Sequence, residues 1–200
     1  MNETLPLLGF TTTPLELISF VLSVITVALN IRQTHWAWLF SILSSGTYAV
    51  VFFGALLYGD MALQLVFIAV SVWGWYQWLY GGGRHASLHV TRLHRRGIAY
   101  SVGAWIAGFV LIALFLRTYT NTDVPHIDGF LTAGSLVGQL LLSRKKVENW
   151  HVWIAVDVLY VGLYVYKGLI LTAILYAIFI VLAWIGLRTW SKIAQQEEAA

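Results

Sequence analysis

"VENWHVWIAVDVLYVGLYVYKGL", Val147 to Leu169, is apolar almost throughout yet keeps an aspartate, Asp157, at its middle. A run of this length and hydropathy suits a helix crossing a bilayer, which takes about 20 predominantly apolar residues. An acid at the centre of such a helix costs about 2.5–3.5 kcal/mol on insertion scales, so it faces a bundle interior or a watery cavity rather than lipid. Asn149, Trp153 and Asp157 recur every four residues and so share one helical face, which Tyr160 and Tyr164 extend and Trp150 flanks.

The rest of the chain repeats this character. Hydrophobic residues make up 59% of the 200 positions and charged ones 10%, against roughly 25% charged in a globular domain. Seven spans are expected, at about 14–31, 36–57, 60–80, 98–116, 124–143, 149–167 and 169–189. The first opens on Thr13-Pro14-Leu15-Glu16, a capping-box pattern with proline at the first helical position. "GGGRHASLHVTRLHRRG", at 81–97, is the longest break and has the composition of an exposed linker. The fold expected is all-α: a polytopic membrane protein of seven transmembrane helices.

Sliding the chain along itself by 112 residues, with no gap, pairs Ser23 with Ser135, Arg32 with Arg144, Trp38 with Trp150 and Tyr48 with Tyr160. Phe67 then meets Phe179, Gly74 meets Gly186, Trp78 meets Trp190, and Glu16 meets Asp128. Spans 1–3 thus correspond to spans 5–7, with span 4 left as a linker: a 3+1+3 arrangement of two parallel three-helix repeats. Parallel repeats occur among transporters, whose ligands bind near the membrane midplane. The expected divisions are 1–80 for the first repeat, 81–120 for the basic loop and linker helix, 121–190 for the second repeat, and 191–200 for a tail.

Charge sets the orientation. One side of the seven spans collects Arg32, Arg84, Arg92, Arg95, Arg96, Arg144, Lys145, Lys146, Arg188 and Lys192, and the other only Arg117 and Lys167. Ten against two puts the N-terminus outside and the C-terminus in the cytoplasm. The arginines and histidines of 84–96 therefore read as a topogenic loop beside anionic lipid, not as a nucleic-acid or metal site. "MNETLPLLGFTTT" lacks a basic n-region, so the first apolar segment is expected to stay in the protein. Cysteine is absent, which excludes disulfides, iron–sulfur clusters and thiolate zinc sites.

A carboxylate among aromatic faces is suited to a desolvated organic cation, which ring quadrupoles and acid both favour. The competing reading of Asp157 is a helix fastener that accepts hydrogen bonds from neighbouring spans. In the third span Gln64, Ser71, Trp75 and Trp78 lie on or near one stripe. Gln64 is deep enough to donate to and accept from a ligand, though an interhelical hydrogen bond would also suit it. Trp78 and Tyr80 fit an aromatic belt. Tyr176, at the repeat position of Gln64, is a candidate opposite wall. No phosphate loop, HExxH motif or convincing triad is present, so no cofactor, metal or catalytic residue is expected, and a membrane enzyme or a non-transporting sensor is the weaker reading.

The combination "LQLVFIAVSVWGWYQW" with "RKKVENWHVWIAVDVLYVGLYVYKGLILTAILY" resembles the Pnu family of bacterial vitamin transporters (PnuC-type), and the likeness covers nearly the whole chain. The resemblance implies a SWEET-like full-length transporter of the bacterial inner membrane, working by facilitated diffusion with alternating access, its vitamin trapped by a cytoplasmic kinase. It also implies substrate-binding roles for Asn149, Trp153 and Gln64. Some members carry asparagine where this chain has Asp157 or Ser71, which bears on the substrate. Branches of the family carry nicotinamide riboside, thiamine, riboflavin or deoxynucleosides. A pyridinium or thiazolium suits Asp157 and its aromatic stripe, so nicotinamide riboside comes first and thiamine second. Asp157, Trp153, Asn149, Gln64, Tyr160, Tyr164, Ser71, Trp75 and Tyr176 form the candidate binding set. The implied partners are a small cationic vitamin, the bilayer and that kinase, with room for a homo-oligomer and none for nucleic acid.

Overall fold

A computed structural model describes residues 5–7, 10–12, 14–54, 58–82, 86–120, 122–166 and 170–199. Thr13, Arg84, His85 and Lys167 lie outside the described residues. Seven helices are described: α1 (Pro14–Ile31), α2 (Ala37–Gly54), α3 (Tyr58–Tyr80), α4 (Arg95–Tyr119), α5 (Pro125–Ser143), α6 (Asn149–Tyr166) and α7 (Ile170–Glu198). Ahead of them β1 (Leu5–Leu7) and β2 (Phe10–Thr12) pair antiparallel, Leu5 opposite Thr12, a short hairpin that the all-α expectation omits. The helices follow the expected spans closely because long apolar runs fix both. The largest difference is α7, which runs nine residues past its expected end at 189. "SKIAQQEE" is rich in helix formers, so the helix continues where the apolar run stops.

Contacts divide the chain after Leu88 into two units. In the first, α2 packs on both α1 and α3; in the second, α5 packs on α4 and α6, and α6 packs on α7. α4 has a surface of exposed Ile106, Val110, Leu111, Leu114 and Phe115. An apolar face that large is unsuited to water and suits hydrocarbon.

The 112-residue repeat is visible inside each unit. α2 and α6 have equivalent bounds, 37–54 and 149–166. Gln33 ends the turn after α1 at φ 55°, and Lys145 ends the turn after α5 at φ 49°. Around each, two backbone bonds close a Schellman cap: Gln33 N–H to Asn30 O and Thr34 N–H to Leu29 O, then Lys145 N–H to Leu142 O and Lys146 N–H to Leu141 O, all at 3.0 Å. Neither position is glycine, so the same strained left-handed conformation is held twice without glycine's freedom. Packing repeats as well. Trp38 meets Trp78 edge-on at 5.4 Å and 86°, and Trp150 meets Trp190 at 5.4 Å and 90°. Each first tryptophan lies flat on a glycine: a methyl at Gly74 would fall 2.5 Å from the Trp38 ring, and one at Gly186 2.7 Å from Trp150. The tryptophans and glycines that align in the sequence are thus in contact within each unit.

From His89 onward the basic break is tied down. Val90 is 1% exposed. Thr91 bridges the α5–α6 turn in parallel: its N–H donates to Lys145 O at 3.1 Å, and Val147 N–H donates to Thr91 O at 3.0 Å. Lys146 Nζ donates to Thr91 Oγ1 at 2.7 Å, and Leu93 N–H donates to Glu148 Oε2 at 2.9 Å. His89 reaches Glu197 at the end of α7, Nδ1 to Oε1 3.1 Å. Beneath this strap Lys145 is buried; loss of water holds its ammonium below the usual lysine range, and the Glu197 carboxylate partly opposes that shift. Most of its described side chains are exposed, as their composition suggests, and Thr91 with the Leu93 amide ties the segment to the α5–α6 turn. Replacing Glu148 with alanine should leave the Leu93 amide without its acceptor at a cost of about 1 kcal/mol. Amide exchange at Leu93 is then expected to quicken by roughly fivefold, with exchange in the middle of α6 unchanged. Unaltered exchange at Leu93 would mean that Glu148 does not hold the strap.

Candidate functional site

The second unit carries the polar stripe of α6. α5 approaches that helix along two glycines four residues apart. A methyl at Gly134 would fall 2.7 Å from Val156 Cγ2, and one at Gly138 3.1 Å from Trp153 Cε2. Without side chains at these positions the two helices close up, and Asp157 is 3% exposed. Among the described residues no cation and no hydrogen-bond donor is matched to it.

Farther along the stripe the neighbours are aromatic. Tyr160 and Tyr164 stack at 5.5 Å and 13°, and Tyr176 of α7 stands 4.7 and 5.1 Å from them. Tyr160 lies one helical turn from Asp157 on the same face of α6. Tyr176, the candidate wall at the repeat position of Gln64, thus packs against the α6 tyrosines. At the other end of the stripe Asn149 is fully buried. Its Nδ2 donates to Lys146 O at 2.6 Å across the α5–α6 turn, while Oδ1 meets no partner among the described residues. The fold uses one of the two N–H donors of the amide and leaves its carbonyl acceptor unmatched. Trp153 is half-buried between Asn149 and Asp157.

The candidates of the first unit are placed differently. Ser71 is fully buried, and its hydroxyl shares a hydrogen bond of 3.0 Å with Ser41 of α2. It belongs to a run of hydroxyls between helices: Ser19 donates to Thr47 Oγ1 at 2.8 Å, and Ser23 pairs with Ser44 at 2.8 Å. Trp75 stacks with His35 at 6.4 Å and meets Trp36 edge-on at 5.9 Å, beside the α1–α2 turn. Gln64 is partly buried on α3. So α6 and α7 gather Asp157, Trp153, Asn149, Tyr160, Tyr164 and Tyr176 in one unit, and Gln64, Ser71 and Trp75 lie along α3 in the other.

His151 is exposed on the outer side of α6. It opens an apolar groove of about 690 Å³ with Ile154, Val158, Leu159, Trp184 and Leu187, away from the stripe. Among the described residues no three of His, Asp and Glu gather as a metal set. Sequence reading missed the part played by Gly134 and Gly138; their spacing of four on an apolar helix was the available signal.

Comparison with known proteins places this arrangement. A family model described as Nicotinamide mononucleotide transporter matches residues 13–192. The riboflavin/roseoflavin transporter RibM of Streptomyces davaonensis is 30% identical over 180 residues, covering 88% of this chain and 83% of that protein. The nicotinamide riboside transporter PnuC of Escherichia coli is 22% identical over 217 residues, covering 94% and 89%. A crystal structure of the vitamin B3 transporter PnuC superposes with a TM-score of 0.74 at 23% identity, over 91% of this chain and 82% of that one, and shows the same fold.

Proposed function

The chain belongs to the nicotinamide mononucleotide transporter family, a multi-pass membrane vitamin transporter by family and fold, and from that premise we propose that its substrate is a cationic vitamin, nicotinamide riboside first. One observation carries the reading. Asp157 is buried, no cation beside it is described, and a cluster of three tyrosine rings begins one helical turn along the same stripe, at Tyr160. A buried carboxylate without a partner is costly. A ligand bearing a delocalised positive charge supplies the partner and stacks on the rings as well. The free Asn149 Oδ1 suits a carboxamide N–H or a ribose hydroxyl. The described membrane-spanning stripe holds no Lys or Arg for a phosphate, which favours the nucleoside over the nucleotide of the family's description.

Transport by this reading is facilitated diffusion with alternating access, the C-terminus on the cytoplasmic side, where a kinase traps the vitamin as its phosphate. The ten-to-two distribution of Lys and Arg supports that orientation. RibM favours a second reading, riboflavin, since its identity to this chain reaches 30%. Riboflavin is neutral and would leave Asp157 without a countercharge.

Purified protein in detergent, titrated in parallel with nicotinamide riboside, thiamine and riboflavin, separates these. Micromolar binding of nicotinamide riboside alone is expected. Thiamine alone would keep the cation and change the vitamin, and riboflavin alone would overturn the cationic reading.

A further inference from the structure

We propose that Gly138 of α5 is a positioning residue for Trp153: by presenting no side chain it seats the indole and sets the tilt of the face on which a flat aromatic vitamin stacks. The inference rests on the reading of Trp153 as a ligand contact, and extends it to a residue on a different helix.

Three observations carry it. A methyl built on Gly138 would lie 3.1 Å from Trp153 Cε2, 3.4 Å from Trp153 Cδ2 and 3.3 Å from Val152 Cγ1. Contacts of 3.1–3.4 Å are too short for relaxed carbon atoms, whose optimum lies near 3.5–4.0 Å, so the indole has to yield by a few tenths of an ångström. Second, the glycines of α5 do different work. Gly129 lets α4 approach at the Ala113 backbone, and Gly134 seats Trp105 of α4 together with Val156. Trp105 is tied to the scaffold, its Nε1 donating to Phe130 O at 2.9 Å. Gly138 alone of the three faces the half-buried Trp153 within the polar stripe. Third, the internal repeat shows the exchange of bulk. The first-unit counterpart of Gly138 is Thr26, whose hydroxyl bonds back to Leu22 O at 2.8 Å, and that of Trp153 is Ser41, bonded to Ser71. Where the aromatic is replaced by a small hydroxyl, a side chain appears on the neighbouring helix. Bulk at the two positions thus differs together between the units.

A stacking plane displaced by tenths of an ångström weakens recognition without abolishing it. Substituting Gly138→Ala is expected to raise the dissociation constant about tenfold for nicotinamide riboside, or for riboflavin if the parallel titration selects it. The decisive measurement is a double-variant cycle with Trp153→Phe, whose smaller ring leaves room for the methyl. The pair G138A with W153F should fold and should bind like W153F alone. Rescue of a poorly folding G138A by W153F would support the same seat. If W153F binds as well as wild type, Trp153 is no ligand contact, and the underlying reading falls with its seat. If W153F loses binding while G138A keeps wild-type affinity, or if the two effects simply add, only the role of Gly138 is overturned. Failure of the double variant to fold would transfer the contact to Val152 and also reject the proposal.

Discussion

Replacing Asp157 with asparagine is expected to weaken nicotinamide riboside binding by about 100-fold, from the 2–5 kcal/mol that removal of one partner from a buried charge pair costs. The substitution nearly preserves shape, so it isolates charge. Asp157 is 3% exposed, and no charged neighbour is described that would be left behind by the change. Removing the carboxyl should therefore leave the empty protein about as stable as before, since no described partner loses a contact with it. Affinity and stability thus move apart, a result that a helix fastener cannot produce, because loss of a fastener lowers both. Calorimetric titration alongside thermal unfolding in the same detergent reads the two quantities. Unchanged affinity together with a lower unfolding temperature would return Asp157 to a purely structural role. Riboflavin, carrying no positive charge, supplies the internal control: any affinity for it should survive the substitution.

Trp150→Ala is expected to destabilise the second repeat by about 3–5 kcal/mol, the range for deleting a large buried aromatic. Trp150 is 2% exposed, lies on Gly186 and meets Trp190 edge-on. Its removal opens a cavity that Gly186, having no side chain, cannot fill. Trp38 occupies the same position on Gly74 and against Trp78, so Trp38→Ala should cost a similar amount in the first repeat. Replacement by phenylalanine should cost much less. The Trp150 Nε1 is buried with no partner among the described residues, as is that of Trp38. Phenylalanine surrenders some ring area but also removes a donor that pairs with nothing. Gly162→Ala is the control: a methyl there meets nothing within 4 Å, and a helical glycine so replaced gains roughly 0.5–1 kcal/mol. Denaturant unfolding in mild micelles orders the three. Equal loss for alanine and phenylalanine at 150 would mean that cavity volume is not what holds the contact.

Much of the architecture was legible in the residues because its determinants lie along the chain. Apolar runs set seven helices whose ends fall near the expected ones, and glycine or basic clusters mark the breaks. The repeat was legible because tryptophan and glycine are hard to exchange: Trp38 needs Gly74, and Trp150 needs Gly186, so each pair has been kept together at the same spacing. The stripe from Asn149 to Tyr164 followed from helical periodicity alone.

The tertiary structure decided how each polar group is spent. Ser71 and Gln64 look alike as polar residues in an apolar helix, yet Ser71 is bonded to Ser41, thirty residues away in sequence. Asn149 reads as a whole amide and proves to have one of its two N–H donors committed to Lys146 O. The loop that composition marks as exposed is held by Glu148 and Lys146 across 55 residues of sequence. Hydropathy and periodicity are properties of neighbours along the chain and survive any packing. A hydrogen-bond partner, or the glycine beneath an indole, is chosen only when two distant helices reach contact distance, and that choice belongs to the fold.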